Sequence, residues 1–338
     1  MSRQDDLDPA TFKFRGLHPD ICLGTASDRY AGWIGQIYSE EIYASRISSR
    51  TKKVGKHSFR ENVLPVESLD EYFRHFRVLE IDYTFYRPLL DSDGNPTQSY
   101  HVLKSYRDHM ADEDRLILKV PQVIFARKIP RAGRHQENPD YLNPEMFTGS
   151  FYKPAVELLG QRLKGFVFEQ EYQPKQDRQP LGKLVEALSA FLEAIPRDDR
   201  YHMELRTESY LSGPVFEVLE KYGIGQVLSH WTWLPPLRKQ FARAGLRFLS
   251  SGKQSIIRLM TPLGVRYEDA YALAYPFDKL VDDMLQPKMI DETAELMWEG
   301  VHDGVRVNVI INNRSGGNAP LIARQIATRF LAESSSSL

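Results

Sequence analysis

Cysteine is nearly absent from the 338-residue chain, and its single thiol, Cys22, excludes an internal disulfide. Set in the apolar run ICLG, Cys22 reads as a buried thiol rather than a nucleophile. Long apolar runs are missing too. Nothing approaches the ~20 residues that a bilayer-spanning helix needs, and the opening MSRQDDLDPATFKF has no apolar core of the kind a secretory signal carries. A soluble, cytoplasmic protein with no membrane partner is the expectation. Excess charge of one sign is also lacking. Lys+Arg 44 against Asp+Glu 45 leaves a formal net charge of -1, which excludes an overall basic coat for nucleic acid and leaves only local patches. No G-x-G-x-x-G follows an expected strand and no G-x-x-x-x-G-K-[ST] occurs, so the usual phosphate cradles of open α/β sheets are excluded. The metal-binding spacings H-E-x-x-H and C-x-x-C are equally absent.

What is present is an alternation. Apolar runs at 21–25, 78–86, 116–120, 165–169, 201–206, 225–230, 255–259 and 305–311 have the length and composition of buried strands. Between them, apolar residues recur at helical spacing. The first such stretch holds Leu69, Tyr72, Phe73 and Phe76, opened by Ser68 and Glu71 as a capping box. Others follow at 97–110, 154–163, 181–192, 215–222, 237–245 and 319–331, and a longer one, 267–301, is interrupted at Pro276 and Pro287. Eight strands alternating with helices and no compositional break predict an α/β protein, a single closed (β/α)8 TIM-type barrel over 21–333. A polar N-terminal extension, 1–20, would precede it, and the serine-rich 334–338 would be a disordered tail. An open doubly wound sheet is the runner-up, weakened by the missing nucleotide fingerprints. Two long loops, 27–67 after strand one and 122–148 after strand three, carry basic clusters. These are Arg50, Lys52, Lys53, Lys56 and Arg60 in the first, and Arg127, Lys128, Arg131, Arg134 and His135 in the second.

Several motifs stand in a fixed order: Gly24-Thr25 with Tyr30, Gly32-Trp33 and Tyr38; the run Leu79-Glu80-Ile81-Asp82-Tyr83-Thr84-Phe85-Tyr86; Met203-Glu204-Leu205-Arg206; Ile257-Arg258-Leu259; and Asn312-Asn313 with Asn318-Ala319. Together they resemble the YecE-like family, TIM-barrel proteins catalogued as domain of unknown function 72, with its opening motif, V-E-I-N-S-T-F-Y, V-E-F-R, V-R-L and closing F-N-N…A. Asp82 stands where that pattern has Asn, Met260 where V-R-L-H-G has His, Thr207 where His follows F-R, and Glu169 or Gln170 in the F-Q-L-P position. The resemblance implies a barrel and a site but carries over no reaction, because the family has none established.

The run VLEIDYTFY, residues 78–86, puts Glu80, Asp82 and Thr84 on one strand face and Leu79, Ile81 and Tyr83 on the other. Buried parallel strands are normally apolar on both faces, so carboxylates at period two mean that one face lines something polar and enclosed. If apolar positions face the helices, the opposite parity sends Glu80, Asp82, Lys119, Glu169, Glu204, Arg206, Arg258 and Asn312 into the barrel. Most lie near the C-terminal ends of their strands, where barrel enzymes place their sites. Glu80, Asp82, Glu169, Glu204, Arg206 and Arg258 are therefore the catalytic candidates. Glu169 and Glu204 form the best pair for having pKa values pushed apart into acid and base.

The opposing reading is a mutually satisfied ion network that fixes strand register. Asp82, Glu169, Glu204 and His230 could hold a divalent metal, which Arg206 and Arg258 would oppose; no cofactor is expected. A basic rim over acids points to a phosphate-bearing small molecule, with a nucleic-acid segment as another candidate. Lys119, Arg127, His230, Asn312 and Asn313 would bind it, and Tyr30, Trp33, Tyr86, Trp231 and Trp233 would stack on sugar or base rings. The expectation is an enzyme with hydrolase-type acid/base chemistry on a sugar-like or phosphate-bearing ligand. The alternative is a non-catalytic nucleic-acid or metabolite binder, and the oligomeric state stays open.

Overall fold

A computed structural model describes residues 7–131 and 134–334, with the side chains of 130–135 and 334 left out. Its apolar runs form eight parallel strands: β1 (Ile21–Ala26), β2 (Val78–Ile81), β3 (Arg115–Lys119), β4 (Leu163–Glu169), β5 (Tyr201–Glu204), β6 (Gly225–His230), β7 (Gln254–Leu259) and β8 (Arg306–Ile311). Each pairs with the next and β8 pairs with β1, so the sheet closes. One principal helix follows each strand: α1 (Leu69–His75), α2 (Gln98–Asp108), α3 (Lys153–Leu159), α4 (Leu181–Ala194), α5 (Gly213–Tyr222), α6 (Leu237–Arg243), α7 (Pro287–Asp303) and α8 (Ala319–Ser334). The protein is a (β/α)8 barrel. The prolines that interrupt 267–301 act as read: a helix ends at Ala274, and α7 begins on Pro287, where a missing N–H costs no helical bond.

Strand parity sorts the core into two layers. Leu79, Ile81, Leu116, Leu118, Phe166 and Phe168 point outward into the large core shared with the helices. Val78, Ile117, Val167, Val227, Ile256 and Ile310 form a separate apolar plug inside the barrel. One pleat repeat further along, the same inward parity brings Glu80, Lys119, Glu169, Ser229 and Arg258 over the plug, at the C-terminal side. A side chain at Gly24 has no room, since its Cβ would stand 2.0 Å from the Val78 carbonyl oxygen. Gly24→Ala should therefore cost roughly 1–3 kcal/mol through forced separation of β1 and β2. Thermal unfolding checks it; an unchanged Tm would mean that the strands yield freely.

Four local expectations are corrected. β2 stops at Ile81 because its pairing with β1 and β3 ends there. The chain then enters a 3-10 turn, Tyr83–Phe85, with Asp82 already helical at φ -85 and ψ -34. Thr84 is thereby buried, its hydroxyl donating to the Lys119 carbonyl at 2.8 Å. The capping box does not form. A 3-10 turn, Val66–Ser68, runs straight into α1, and the Glu71 carboxylate instead accepts from the Ser39 amide (2.7 Å) and hydroxyl (2.6 Å), tying the first long loop to α1. Both long loops contain antiparallel hairpins, Ser48–Val54 with His57–Val63 and Lys128–Arg131 with Arg134–Glu137. The N-terminal segment packs as well: Phe14 and Leu17 join the main core, and buried Arg15 meets Asp114 at 2.9 Å. The tail, 335–338, lies outside the described residues. Among the described residues no helix is long and apolar enough to cross a membrane.

Candidate active site

Three carboxylates converge on one guanidinium at the top of the plug. Arg258 Nη2 donates to Glu80 Oε1 at 2.6 Å, and Nη1 meets Glu169 Oε2 at 3.0 Å and Glu204 Oε2 in close contact. Arg206 spans the same acids, with Nη1 2.8 Å from Glu169 Oε1 and Nη2 3.2 Å from Glu204 Oε2. The Ser229 hydroxyl donates to Glu204 Oε1 at 2.5 Å. Glu80 and Glu204 are fully buried and Arg258 is 1% exposed, so this cluster is a sealed floor.

The face above the floor is different. Lys119 Nζ lies 2.7 Å from Glu169 Oε2 and 3.4 Å from Asp82 Oδ1. Asp82, with 36% of its side chain exposed, is the most open of the four acids. Around these groups is a cavity of about 280 Å³, floored by Arg258 and lined also by Arg206, Asn312, Arg314 and the rings of Tyr86, Tyr172, Trp231 and Tyr267. Each cation of its wall lies over an aromatic face: Arg206 over Trp231 at 4.9 Å, Lys119 over Phe85 at 4.0 Å and Arg314 over Tyr267 at 4.3 Å. Such seating holds the heads in place without neutralising them.

The same burial acts unequally on the acids. Desolvation raises the Glu80 carboxyl despite Arg258. Burial would raise Glu169 as well, but Arg206, Lys119 and Arg258 outweigh it and hold this carboxyl well below the usual range. At Asp82 burial is likewise overcome, here by Lys119 and then Arg314, so it too ionises more readily than an ordinary aspartate. The positions proposed for a metal are already faced by cations. Lys119, Arg206 and Arg258 stand where an ion between Asp82, Glu169 and Glu204 would sit, and among the described residues no group of three or more ligating side chains is placed to hold one.

Other candidates lie elsewhere. Within β6, Ser229 takes the inward parity, so His230 faces outward, buried, with Nδ1 2.9 Å from the Thr261 carbonyl. Trp33 is fully buried and donates from Nε1 to Asn313 Oδ1 at 3.1 Å; the same oxygen accepts from the Ala319 amide at 2.8 Å, at the start of α8. Tyr30 packs between Trp33 and Phe277, with centroids 5.0 and 5.2 Å away. Asn312 lines the cavity while its Oδ1 accepts from the Arg314 amide at 3.0 Å. The basic clusters are partly paired. Arg50 and Lys52 reach Glu61 at 2.9 and 3.0 Å, Lys128 reaches Asp177 at 2.8 Å, and Arg127 donates to the Asp177 carbonyl at 2.5 Å. The side chains of Arg131, Arg134 and His135 lie outside those described. Sequence reasoning missed Glu171, Tyr172, Tyr267 and Arg314, all in the cavity wall. Glu171 alone left a signal, as it continues the parity of Glu169 past the end of β4.

His230 makes pH a probe of this packing. Burial lowers its pKa from 6.5 to about 4, so the unfolded chain binds a proton that the folded chain refuses. Stability should fall as pH drops from 6.5 toward 4, by about 3 kcal/mol from this group at about 1.4 kcal/mol per pH unit. Urea unfolding at pH 7 and pH 4.5, wild type beside His230→Gln, measures it. The variant should show the shallower pH dependence, and parallel curves would remove His230 as a cause.

Fold and cavity together define the class: a TIM-type barrel with a charged, aromatic-walled pocket at the C-terminal ends of its strands. The family model "Protein of unknown function DUF72" matches residues 49–337, and the chain belongs to the DUF72 family. A DUF72 family protein of Thermotoga maritima is similar in structure, with a TM-score of 0.57 at 16% identity, over 92% of this chain and 99% of that one. A DUF72 family protein of Enterococcus faecalis gives a TM-score of 0.56 at 15% identity, over 92% of this chain and 95% of that one. At these identities the likeness is one of fold. Among curated proteins, none matches.

Proposed function

We propose that the protein is an enzyme that hydrolyses a sugar-like ligand bearing a carboxylate or phosphate, bound in the cavity above Arg258. The observation that carries this reading is Asp82, a carboxylate that ionises readily and is open to the cavity, while its neighbour Glu169 is locked into ion pairs with Lys119, Arg206 and Arg258. Arg206, Arg314 and Lys119 supply positive charge for the ligand's anionic group, and Trp231 and Tyr86 offer faces to a ring. Asp82 then acts as the general base that takes a proton from the attacking water. Glu169 and Glu204, each held by two arginines, serve to aim Arg206 and Arg258 rather than to move protons. Nucleic-acid binding by the rim is the weaker alternative, because Arg50, Lys52, Arg127 and Lys128 already have acidic or carbonyl partners.

Calorimetric titration with glucuronic acid and with glucose 6-phosphate tests the binding half of this reading. At least one should bind the wild type, and Arg206→Gln should weaken it about 10- to 100-fold, as expected for a lost charged hydrogen bond. Absence of binding by both, or equal binding by the variant, would sink the proposal.

A further inference from the structure

The central cavity does not end at its own wall. A second chamber of about 490 Å³ lies beside it and shares Phe85, Glu169, Glu171 and Tyr172 with it. The two are therefore adjoining rooms of one groove, running from the barrel axis to the loops after β3 and β4. Their chemistry differs. The central room sets Lys119, Arg206, Arg258 and Arg314 among its rings, whereas the two cations of the side room are each paired with an acid of the neighbouring loops. Lys128 and Asp177 pair at 2.8 Å, and Arg127 lies 3.6 Å from Glu137 while donating to the Asp177 carbonyl. Its other walls include Ala126, Pro174 and the ring of Tyr172. Tyr172 is 39% exposed and stacked on Trp233, with centroids 5.7 Å apart and planes at 29°. A half-exposed, braced aromatic ring beside a neutral chamber suits an uncharged ring better than a second anion.

Glu171 stands in the shared wall. Its Oε1 accepts from the Arg127 amide at 2.9 Å and from the Gln173 side chain at 3.4 Å. Its Oε2 is buried without a hydrogen-bond partner among the described residues. A buried carboxyl oxygen left unserved is costly unless something else satisfies it, and this one lies where the two rooms meet.

We propose that the ligand has two units joined through an oxygen atom, an acidic sugar in the central cavity and a neutral ring in the side chamber, with Glu171 as the proton donor to the joining oxygen. The proposal rests on the hydrolytic reading above and names its substrate class, an acidic glycoside. Water attacks the anomeric carbon of the central sugar and Asp82 accepts its proton. The bond from that carbon to the joining oxygen breaks, and Glu171 gives that oxygen a proton. One water is consumed, two hydroxyl-bearing products leave, and solvent returns the proton from Asp82 to Glu171. Burial raises the Glu171 carboxyl above the usual range, which favours the protonated form this step starts from.

The first test compares one unit with two. Glucuronic acid and glucose 6-phosphate are titrated beside both anomers of phenyl glucuronide and of phenyl glucoside 6-phosphate, using Asp82→Asn to prevent turnover. A phenyl-bearing compound should bind at least ten times more tightly than its one-unit partner, and the carboxylate and phosphate arms identify the acidic group. Gln122 lines the side chamber and not the central cavity, so Gln122→Trp, which fills that chamber, should remove the advantage and leave one-unit affinity unchanged. If one-unit acids bind and the phenyl group adds nothing, the two-room inference fails while the hydrolytic reading stands; if nothing binds, both fall. The second test uses the leaving group. Glu171→Gln should slow hydrolysis of the methyl glycoside about 10²- to 10⁴-fold while leaving the 2,4-dinitrophenyl glycoside within a few-fold, since that group departs without a proton. Equal slowing of both would remove Glu171 as the proton donor.

Discussion

Arg258→Leu should cost the protein roughly 3–5 kcal/mol, a large share of the stability of an ordinary domain. The substitution leaves Glu80 fully buried with its ion-pair partner gone, and Glu204 and Glu169 each with one cation fewer. Coulomb attraction in such a place roughly offsets desolvation, so removing one side exposes the whole penalty of the other. Replacing the set together, as Arg258→Met with Glu80→Gln and Glu204→Gln, should recover much of the loss, because no ionised carboxylate then lacks a partner on the floor. Urea unfolding of the single and triple variants gives both numbers. A single variant within about 1 kcal/mol of wild type, the size of an exposed ion pair, would mean that the floor is not a structural element.

Asp82→Asn should have the opposite profile. Turnover should drop about 10²- to 10⁴-fold, the usual range for losing a general base, with little change in stability. Asp82 is over a third exposed and its contact with Lys119 is 3.4 Å, so solvent screens much of what that pair contributes. Asparagine fits, being the residue that the YecE-like pattern carries at this position. The acid/base role proposed for Asp82 is therefore a proposal for this chain and not for the family as a whole. Kinetics beside thermal unfolding separate the outcomes: full activity in a stable variant removes Asp82 as the base, and a collapsed Tm makes it structural.

The barrel was legible because strand parity survives in sequence. Glu80, Lys119, Glu169, Glu204 and Arg258 alternate with apolar neighbours, and all come together over the plug. Legibility ended where strands ended. Arg314 and Tyr267 reach the cavity from turns and a loop helix, where no period relates position to direction. Trp33 illustrates the converse, since the partner of its buried indole N–H is Asn313, 280 residues away. His230 was misplaced by chemistry over geometry: the imidazole drew the assignment, while the inward position of β6 belongs to the small Ser229. The hairpin at 48–63 escaped because its residues are mostly polar and exposed on both faces, so burial imposes no alternation.

The most direct test is a crystal structure after soaking with glucuronic acid and, separately, glucose 6-phosphate. The expected result is the carboxylate or phosphate within hydrogen-bond distance of Arg206 and Arg314, the sugar ring against Trp231, and Asp82 beside the anomeric carbon. An anion found only on the outer loops, at Lys53, Lys56 and Arg60, or an empty cavity at saturating ligand, would contradict the assignment of this pocket as an active site.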